Sequence, residues 1–423
     1  MTPTVGERKG AVMDMLVERC CGLDVHKDTV VACVRTPGEG GRRAEVVRTF
    51  PTMTVDLLAL RDWLVAMGVT LVGMESTGVY WKPIYNVLED AVECWLLNAR
   101  HMHNVPGRKT DVGDAQWICR LVEHGLVRPS FVPPKPIREL RDLTRYRKAQ
   151  IEERGREAQR LDKVLQDAGI KLSSVATDIL GKSGRDMLAA LVSGTKDPEI
   201  LADLARGRLR AKLPALKRAL DGRFVSHHGL IVTEILAKLD YLDEAIGRLS
   251  VEIDRVIAPF VDERQLLDTI PGVDKRTAEC MIAEMGVDMS RFGSSARLAS
   301  WAARCPGNHE SGGKSRSGKS RKGPKWLGGY LNEAATAAAR TKNTYLSAQY
   351  GRLKGRRGHP KAIKAVSHSI IVAAYYMLQR GVPYEDLGAD WFAKRRPEAH
   401  AKRLARQIEL LGYRVTIEPA EAA

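Results

Sequence analysis

Residues Val232, Ile235, Leu239, Leu242, Ile246, Leu249, Ile253 and Val256 step by alternating three and four positions. That spacing is the a/d seam of a heptad repeat, and it requires a long helix with an apolar edge that must be covered. Residues 137–168 are also helical in pattern, with Leu140, Leu143, Leu161, Val164 and Leu165 at the apolar positions. The seam closes either on that segment or on another subunit. A helical linker and oligomerisation region is therefore expected over 137–258, with prolines 129, 133, 134 and 136 at its upstream edge. Residues 170–228 break into shorter helical pieces at glycines and prolines.

Upstream, over residues 18–130, the pattern changes to short β-branched runs. Cys20–Val25 and Thr29–Val34 flank the polar turn His26-Lys27-Asp28 and predict a hairpin. A third strand is expected at 44–50, a helix at 55–67 and a buried strand at 70–75. A helix over 79–91, a strand over 94–97, a basic loop over 99–110 and a helix over 111–125 complete the region. The order β-β-β-α-β-α-β-α is that of an α/β domain with a mixed sheet.

Downstream, residues 262–385 are mostly helical in pattern and 386–423 form a charged tail. Ile270-Pro271-Gly272-Val273-Asp274 lies between two helical stretches. This is the signature of a helix-hairpin-helix-like element, whose turn at Gly272 can hold a backbone phosphate. Six cations, Lys314, Arg316, Lys319, Arg321, Lys322 and Lys325, then fall within twelve residues, with no acid between Glu310 and Glu333. Glycines 312, 313, 318 and 323 and Pro324 predict a loop there. Arg356 and Arg357 belong to a second basic cluster. The formal net charge is +16, and charge so one-sided points to a polyanion, most economically nucleic acid. We assign Lys109, Gly272, these six cations, Arg356 and Arg357 to nucleic-acid binding. Seven cysteines without a C-x-x-C spacing suggest free thiols in a reducing cytoplasm. No signal peptide or membrane span is expected.

Four acids stand where chemistry could use them. Asp24 closes the first strand and Glu75 a central one, while Asp111 and Asp114 share a helix face. Carboxylates converging on one point repel unless cations settle the charge. Hard oxygen donors suit Mg²⁺, which leaves room for water and phosphate. Singly, each acid has a structural reading as a turn or cap residue; their common placement at strand ends and a helix start favours function. His26, His101 and His103 read as surface or phosphate-adjacent residues.

The blocks Gly22-Leu23-Asp24-Val25-His26-Lys27, Met74-Glu75-Ser76-Thr77-Gly78-Val79-Tyr80-Trp81 and Arg108-Lys109-Thr110-Asp111-Val112-Gly113-Asp114-Ala115 resemble the signatures of the DEDD transposases of bacterial insertion sequences. The resemblance continues in Asp268–Val273 and Ser311-Gly312-Gly313-Lys314. It implies an RNase H-like, RuvC-like domain carrying the tetrad, a coiled coil, and a C-terminal transposase domain with an essential serine. It further implies recombination of donor and target DNA guided by a non-coding bridge RNA. The enzyme would work as a homo-oligomer, a dimer or tetramer, in the bacterial cytoplasm at the nucleoid. Carried over residue by residue, it makes Asp24, Glu75, Asp111 and Asp114 metal ligands and Ser311 the nucleophile. Gln116–Cys119 is more polar than is usual for the family's helix, and residues 170–228 read as an added module.

A serine ester with DNA phosphate keeps the energy of the cleaved bond, so a strand can be rejoined without ATP. A metal-activated water would instead hydrolyse it. The tetrad with Ser311 thus predicts recombination; the tetrad alone predicts a RuvC-like structure-specific endonuclease. A non-enzymatic nucleic-acid scaffold is the remaining alternative. His309 and Glu310 are the nearest candidates in sequence for the serine's base.

Overall fold

The computed structural model describes residues 16–76, 78–98, 111–307, 309–312 and 314–418; at 111, 112, 309–311 and 315–317 the description is of the backbone alone. Lys109, His101 and His103 lie outside the described residues. The chain divides at Val132/Pro133 into two compact units.

In the first unit five strands, β1 (Cys20–Val25), β2 (Thr29–Pro37), β3 (Arg43–Pro51), β4 (Leu71–Glu75) and β5 (Glu93–Leu97), form one sheet in the order β3-β2-β1-β4-β5. β1 pairs antiparallel with β2 and parallel with β4; β5 is parallel to β4. This is the expected mixed sheet, consistent with an RNase H-like domain. Helices α1 (Thr54–Ala66) and α2 (Trp81–Leu88) bury Leu57, Leu60, Leu64, Ile84 and Leu88 in a core with Cys21, Leu23, Val25, Val72 and Met74. Helix α3 (Asp111–Glu123) buries Ala115, Ile118, Leu121 and Val122 in a second core with Cys20, Cys33, Leu71 and Leu97. Successive strand residues alternate between these two cores, as the pleat demands. α2 is shorter than the pattern predicts. Pro83 has no N–H to give and fits only a first turn, so the helix starts at Trp81 rather than 79.

The second unit is built on α4 (Lys135–Asp167) and α9 (Ser226–Val256), a pair of long helices. Between them lie α5 (Leu172–Val175), α6 (Lys182–Val192), α7 (Pro198–Asp203) and α8 (Leu213–Leu220). After α9 come α10 (Val261–Asp268), α11 (Lys275–Met285) and α12 (Ser295–Trp301), then strands β6 (His309–Ser311) and β7 (Lys314–Ser317). Helices α13 (Lys325–Ala338), α14 (Tyr345–Arg357), α15 (His359–Arg380), α16 (Trp391–Lys394) and α17 (Pro397–Glu409) follow. Among the described residues, no helix is long and apolar enough to cross a membrane.

The heptad seam closes within the chain. Leu161 and Leu165 of α4 share a core with Val232, Ile235 and Leu239 of α9 and with the short helices α5–α8. At the other end of the pair, Ile137 and Leu140 join Ile253 and Ile257 in the core of the C-terminal helices. The seam is thus occupied by α4 and gives no support for a second subunit. Residues 170–228 cap one end of the pair, and the C-terminal helices are built on the other.

Cations of α4 fasten that second end. Arg141 donates to the carbonyls of Ala283 and Glu284 at 2.9 and 2.6 Å, closing the C-terminus of α11. Arg145 grips the Glu284 carboxylate with two bonds, at 2.6 and 2.8 Å. Arg147, 1% exposed, pairs with fully buried Glu279. A buried pair is costly to form and costlier to break on one side, because one charge is then stranded. Arg147→Met should lower the unfolding free energy of this unit by ~3–5 kcal/mol. Adding Glu279→Gln should restore part of the loss, as read by urea denaturation.

Candidate active site

Asp24 and Glu75 end adjacent parallel strands. The register pairs Leu23 with Met74, so the next residues, the two acids, stand level at the same end of the sheet. Strand parity gives their face. Leu23 and Met74 belong to the α1/α2 core, whereas Cys20 and Leu71 belong to the α3 core. Asp24 and Glu75 therefore lie on the α3 side.

A glycine pair brings α3 onto that face. Gly22 is paired with Gly73 across β1 and β4. A Cβ on Gly22 would come within 2.3 Å of the Ala115 carbonyl oxygen and the Cys119 nitrogen. One on Gly73 would come within 2.4 Å of Val122. The helix backbone rests directly on β1, an approach only glycine permits. α3 also runs opposite to β1. Ala115 lies over Gly22, the Cys119 sulfur is 3.6 Å from that of Cys20, and the Glu123 carbonyl accepts from Leu16 N–H at 3.0 Å. Its first turn, which carries Asp111 and Asp114, therefore points to the sheet end that holds Asp24 and Glu75. Two arginines fix the opposite end: buried Glu123 pairs with Arg35 at 3.0 Å and Arg43 at 2.6 Å.

Asp24 is 8% exposed, and its Oδ2 lies 3.0 Å from Nε2 of the more exposed His26. Glu75 and Asp114 are half-buried; the Asp111 side chain lies outside the described residues. The oxygens of Asp24, Glu75 and Asp114 are not all within 4.8 Å of one another. The donor set is hard oxygen throughout and suits Mg²⁺ or a similar ion. The cysteines Cys20, Cys21, Cys33 and Cys119 are buried toward the other end of β1. The half-buried Cys94 thiol is pushed up to about 12, mostly by burial, so it too is a poor metal ligand.

A second grouping lies in the other unit. Asp167, His227 and His228 bring three potential ligand atoms within 4.8 Å of one another. His228 Nδ1 accepts from the Val225 N–H at 3.3 Å, which leaves the ring proton on Nε2, 3.2 Å from Asp167. Both ring nitrogens are thereby engaged in capping α9, and neither has a free lone pair for a metal.

The basic stretch differs from its expectation. β6 and β7 form an antiparallel hairpin, with Ser311 opposite Lys314. Gly312, at φ +59°, follows β6 in the turn, where glycine turns a chain back rather than ending a strand. Only the segment after Ser317 is without regular structure, up to α13. Ser311 is thus the last residue of a strand before a tight turn. Lys314, Lys319 and Lys322 are exposed. Arg321 donates to the Ser300 hydroxyl at 2.7 Å, and the Lys325 ammonium lies 5.1 Å from the Trp326 ring centre. The side chain of Arg316 lies outside the described residues. Arg356 and Arg357 are exposed in the last turn of α14, where cations also complement the helix dipole.

Gly272 has a structural reason of its own. At φ +85°, a Cβ there would meet the Ala334 carbonyl oxygen of α13 at 2.4 Å. The Asp274 carboxylate accepts from the Thr277 N–H at 2.9 Å and occupies the start of α11. One residue was not anticipated from the sequence. Arg304, 7% exposed, enters the structure just before the hairpin, and its single charge-neutral partner is Asn332, at 2.8 Å. Burial holds its pKa below the ordinary arginine value, and burial with Arg304 nearby lowers that of Lys364. A buried cation looks like any other basic residue in sequence, so no signal pointed to it.

Two family models match. The IS110 DEDD transposase model, described as a transposase, covers residues 21–170; the model described as the transposase IS116/IS110/IS902 family covers 264–351. Together they span more than half of the chain, in order. The chain belongs to the IS110 family of DEDD transposases. No curated protein matches the sequence. The first match takes in all four acids of the sheet end; the second takes in the turn at Gly272 and the hairpin. Membership makes the protein a transposase, a DNA-cutting and DNA-rejoining enzyme with DNA as substrate. Gly22→Ala should displace α3 from the sheet and separate Asp114 from Asp24. We expect at least a tenfold loss of DNA cleavage and a loss of stability of ~2 kcal/mol or more. Cleavage assays and thermal denaturation check this.

Proposed function

We propose that this IS110-family transposase recombines DNA through a covalent serine–phosphate intermediate, with Ser311 as nucleophile and Mg²⁺ held by Asp24, Glu75, Asp111 and Asp114. The observation that carries the reading is the shared sheet end: Asp24 level with Glu75, on the face where the first turn of α3 arrives. That arrangement supports reading the acids as a group that shares cations. When bound there, Mg²⁺ would polarise the scissile phosphate and stabilise the leaving oxygen.

The protein's own groups account for the rest. The Ser311 hydroxyl attacks phosphorus, an Oγ–P bond forms, and the bond to the leaving deoxyribose oxygen breaks. The hydroxyl proton passes to a base, with His309 and Glu310 as the nearest candidates in sequence. Lys314 and Arg316 stabilise charge on the transferring phosphoryl group. Reversal by a different strand's hydroxyl releases the serine and completes strand transfer. Lys109, Gly272, Lys319, Arg321, Lys322, Lys325, Arg356 and Arg357 serve nucleic-acid binding in this reading. The guide, a non-coding bridge RNA pairing with donor and target DNA, rests on the family resemblance together with the charge of +16. Assembly as a dimer or tetramer and action at the bacterial nucleoid rest on the family resemblance alone.

The test is to trap the protein on a nicked suicide DNA substrate with Mg²⁺ and RNA from the flanking element. The wild type should give a covalent adduct whose phosphopeptide maps to Ser311. Ser311→Ala should abolish it, and Asp24→Asn or Glu75→Gln should reduce its rate at least a thousandfold. Strand cleavage undiminished in Ser311→Ala, with no adduct, would establish a hydrolytic RuvC-like nuclease instead. Cleavage undiminished in both acid variants would remove the tetrad from the mechanism.

A further inference from the structure

The region after residue 351, outside both matched segments, contains a cavity of about 670 Å³ between α14, α16 and α17. Arg352, Arg395, Arg396, Arg403, His400 and Phe392 line it, together with alanines; no acid does. The Arg352 guanidinium lies 4.3 Å from the centre of the Phe392 ring, and Arg395 lies 5.1 Å from that of Trp391. Phe392 is in turn stacked on Tyr345, with ring centres 5.1 Å apart and planes 18° apart. Arg403 donates to His400 Nδ1 at 2.9 Å.

The arginines here differ from those elsewhere in the same unit. Along the long helices, Arg154 pairs with Asp243, Arg156 with Glu153 and Arg160 with Glu157. Among the described residues, none of the four arginines of the cavity has a carboxylate partner within 4.0 Å. The neighbouring acids are engaged elsewhere. Asp386 accepts the N–H groups of Tyr345 and Gly388 at 2.9 and 2.7 Å, and Asp390 pairs with Lys394 at 2.5 Å. Burial raises the Tyr345 hydroxyl above its ordinary pKa against the pull of Arg352 and Arg395, in keeping with guanidiniums turned toward this aromatic group.

Four like charges around one cavity are held together at a cost that a polyanion would relieve. The Arg352 guanidinium lies over Phe392, which is itself stacked on Tyr345, so the plane offered to the cavity is the guanidinium's. A guanidinium plane receives an unstacked base by stacking and cation–π attraction, a requirement that a bare phosphate does not meet. The volume suits one nucleotide. In a duplex the bases are already stacked on one another, so the guanidinium planes could not receive one. We infer that this cavity binds single-stranded nucleic acid, holding one unpaired nucleotide on the Arg352 guanidinium with its flanking phosphates on Arg395, Arg396 and Arg403. The inference rests on nucleic acid being the enzyme's substrate and adds a single-strand site distant in sequence from Ser311.

The full-length protein would be titrated against fluorescein-labelled 12-nucleotide RNA, single-stranded DNA and duplex DNA, with fluorescence anisotropy at several salt concentrations. The triple variant Arg352→Ala/Arg395→Ala/Arg403→Ala should bind single strands at least tenfold more weakly. Its salt dependence should be shallower by about 2 log units per log unit of salt, at roughly 0.7 per phosphate released. Phe392→Leu should weaken binding roughly fivefold or more with the salt slope unchanged, because it removes the ring that holds the Arg352 guanidinium plane and no charge. Duplex binding should stay within twofold of wild type in both, and a deficit on either RNA or DNA single strands supports the pocket. Melting temperatures near wild type certify folding; exposed Arg403→Glu alone, away from the aromatic packing, provides a second check and should also weaken single-strand binding. Single-strand affinity unchanged in all three variants, or lost equally on duplex, overturns the inference. The adduct assay reads the covalent chemistry, whereas these titrations, run without Mg²⁺, read binding alone, so failure of the covalent chemistry and failure of this pocket are distinguished.

Discussion

The contact between α3 and the glycine pair Gly22–Gly73 governs the first unit. Only a strand pair without side chains lets a helix backbone come this close. The helix then has one direction, fixed at its far end by Glu123 between Arg35 and Arg43. Two acids at the ends of β1 and β4 therefore face the first turn of α3, where two further acids stand. Packing places the backbones that carry these acids at one end of the sheet, where like charges make a cation useful.

The second unit uses charge in two opposite ways. Along α4, arginines are spent on protein: Arg141 and Arg145 close the end of α11, and Arg147 is sealed against Glu279. Near the hairpin and around α14, α16 and α17, cations lie exposed or, among the described residues, without carboxylates, and buried Arg304 donates to the Asn332 amide. The net charge of +16 is therefore concentrated in effect where partners from outside the chain can reach it.

Much of this was legible in the sequence, for identifiable reasons. The succession of strands and helices along the first unit followed from their periods, and Asp24 and Glu75 could be placed because strand ends are marked by turns. The heptad stepping established a long helix but left its partner open, since a seam is equally apolar whether α4 or another subunit fills it. Gly312 was misleading, because a residue type that breaks a strand also forms the tightest turn between two. Gly272 had a packing role against α13 that no local pattern contains. The arginine row on α4 and the isolation of Arg304 were hidden as well, because burial of a cation depends on elements more than a hundred residues apart in the first case and on three separate helices in the second.

The central claim is that the sheet end in the first unit is a divalent-cation site. Its most direct test is Mn²⁺ binding, followed by electron paramagnetic resonance on the wild type and on Asp24→Asn and Glu75→Gln with DNA present. The account predicts bound Mn²⁺ that Mg²⁺ displaces, with affinity reduced at least tenfold in each variant while both remain folded. Binding that is equally tight in the wild type and both variants would contradict it.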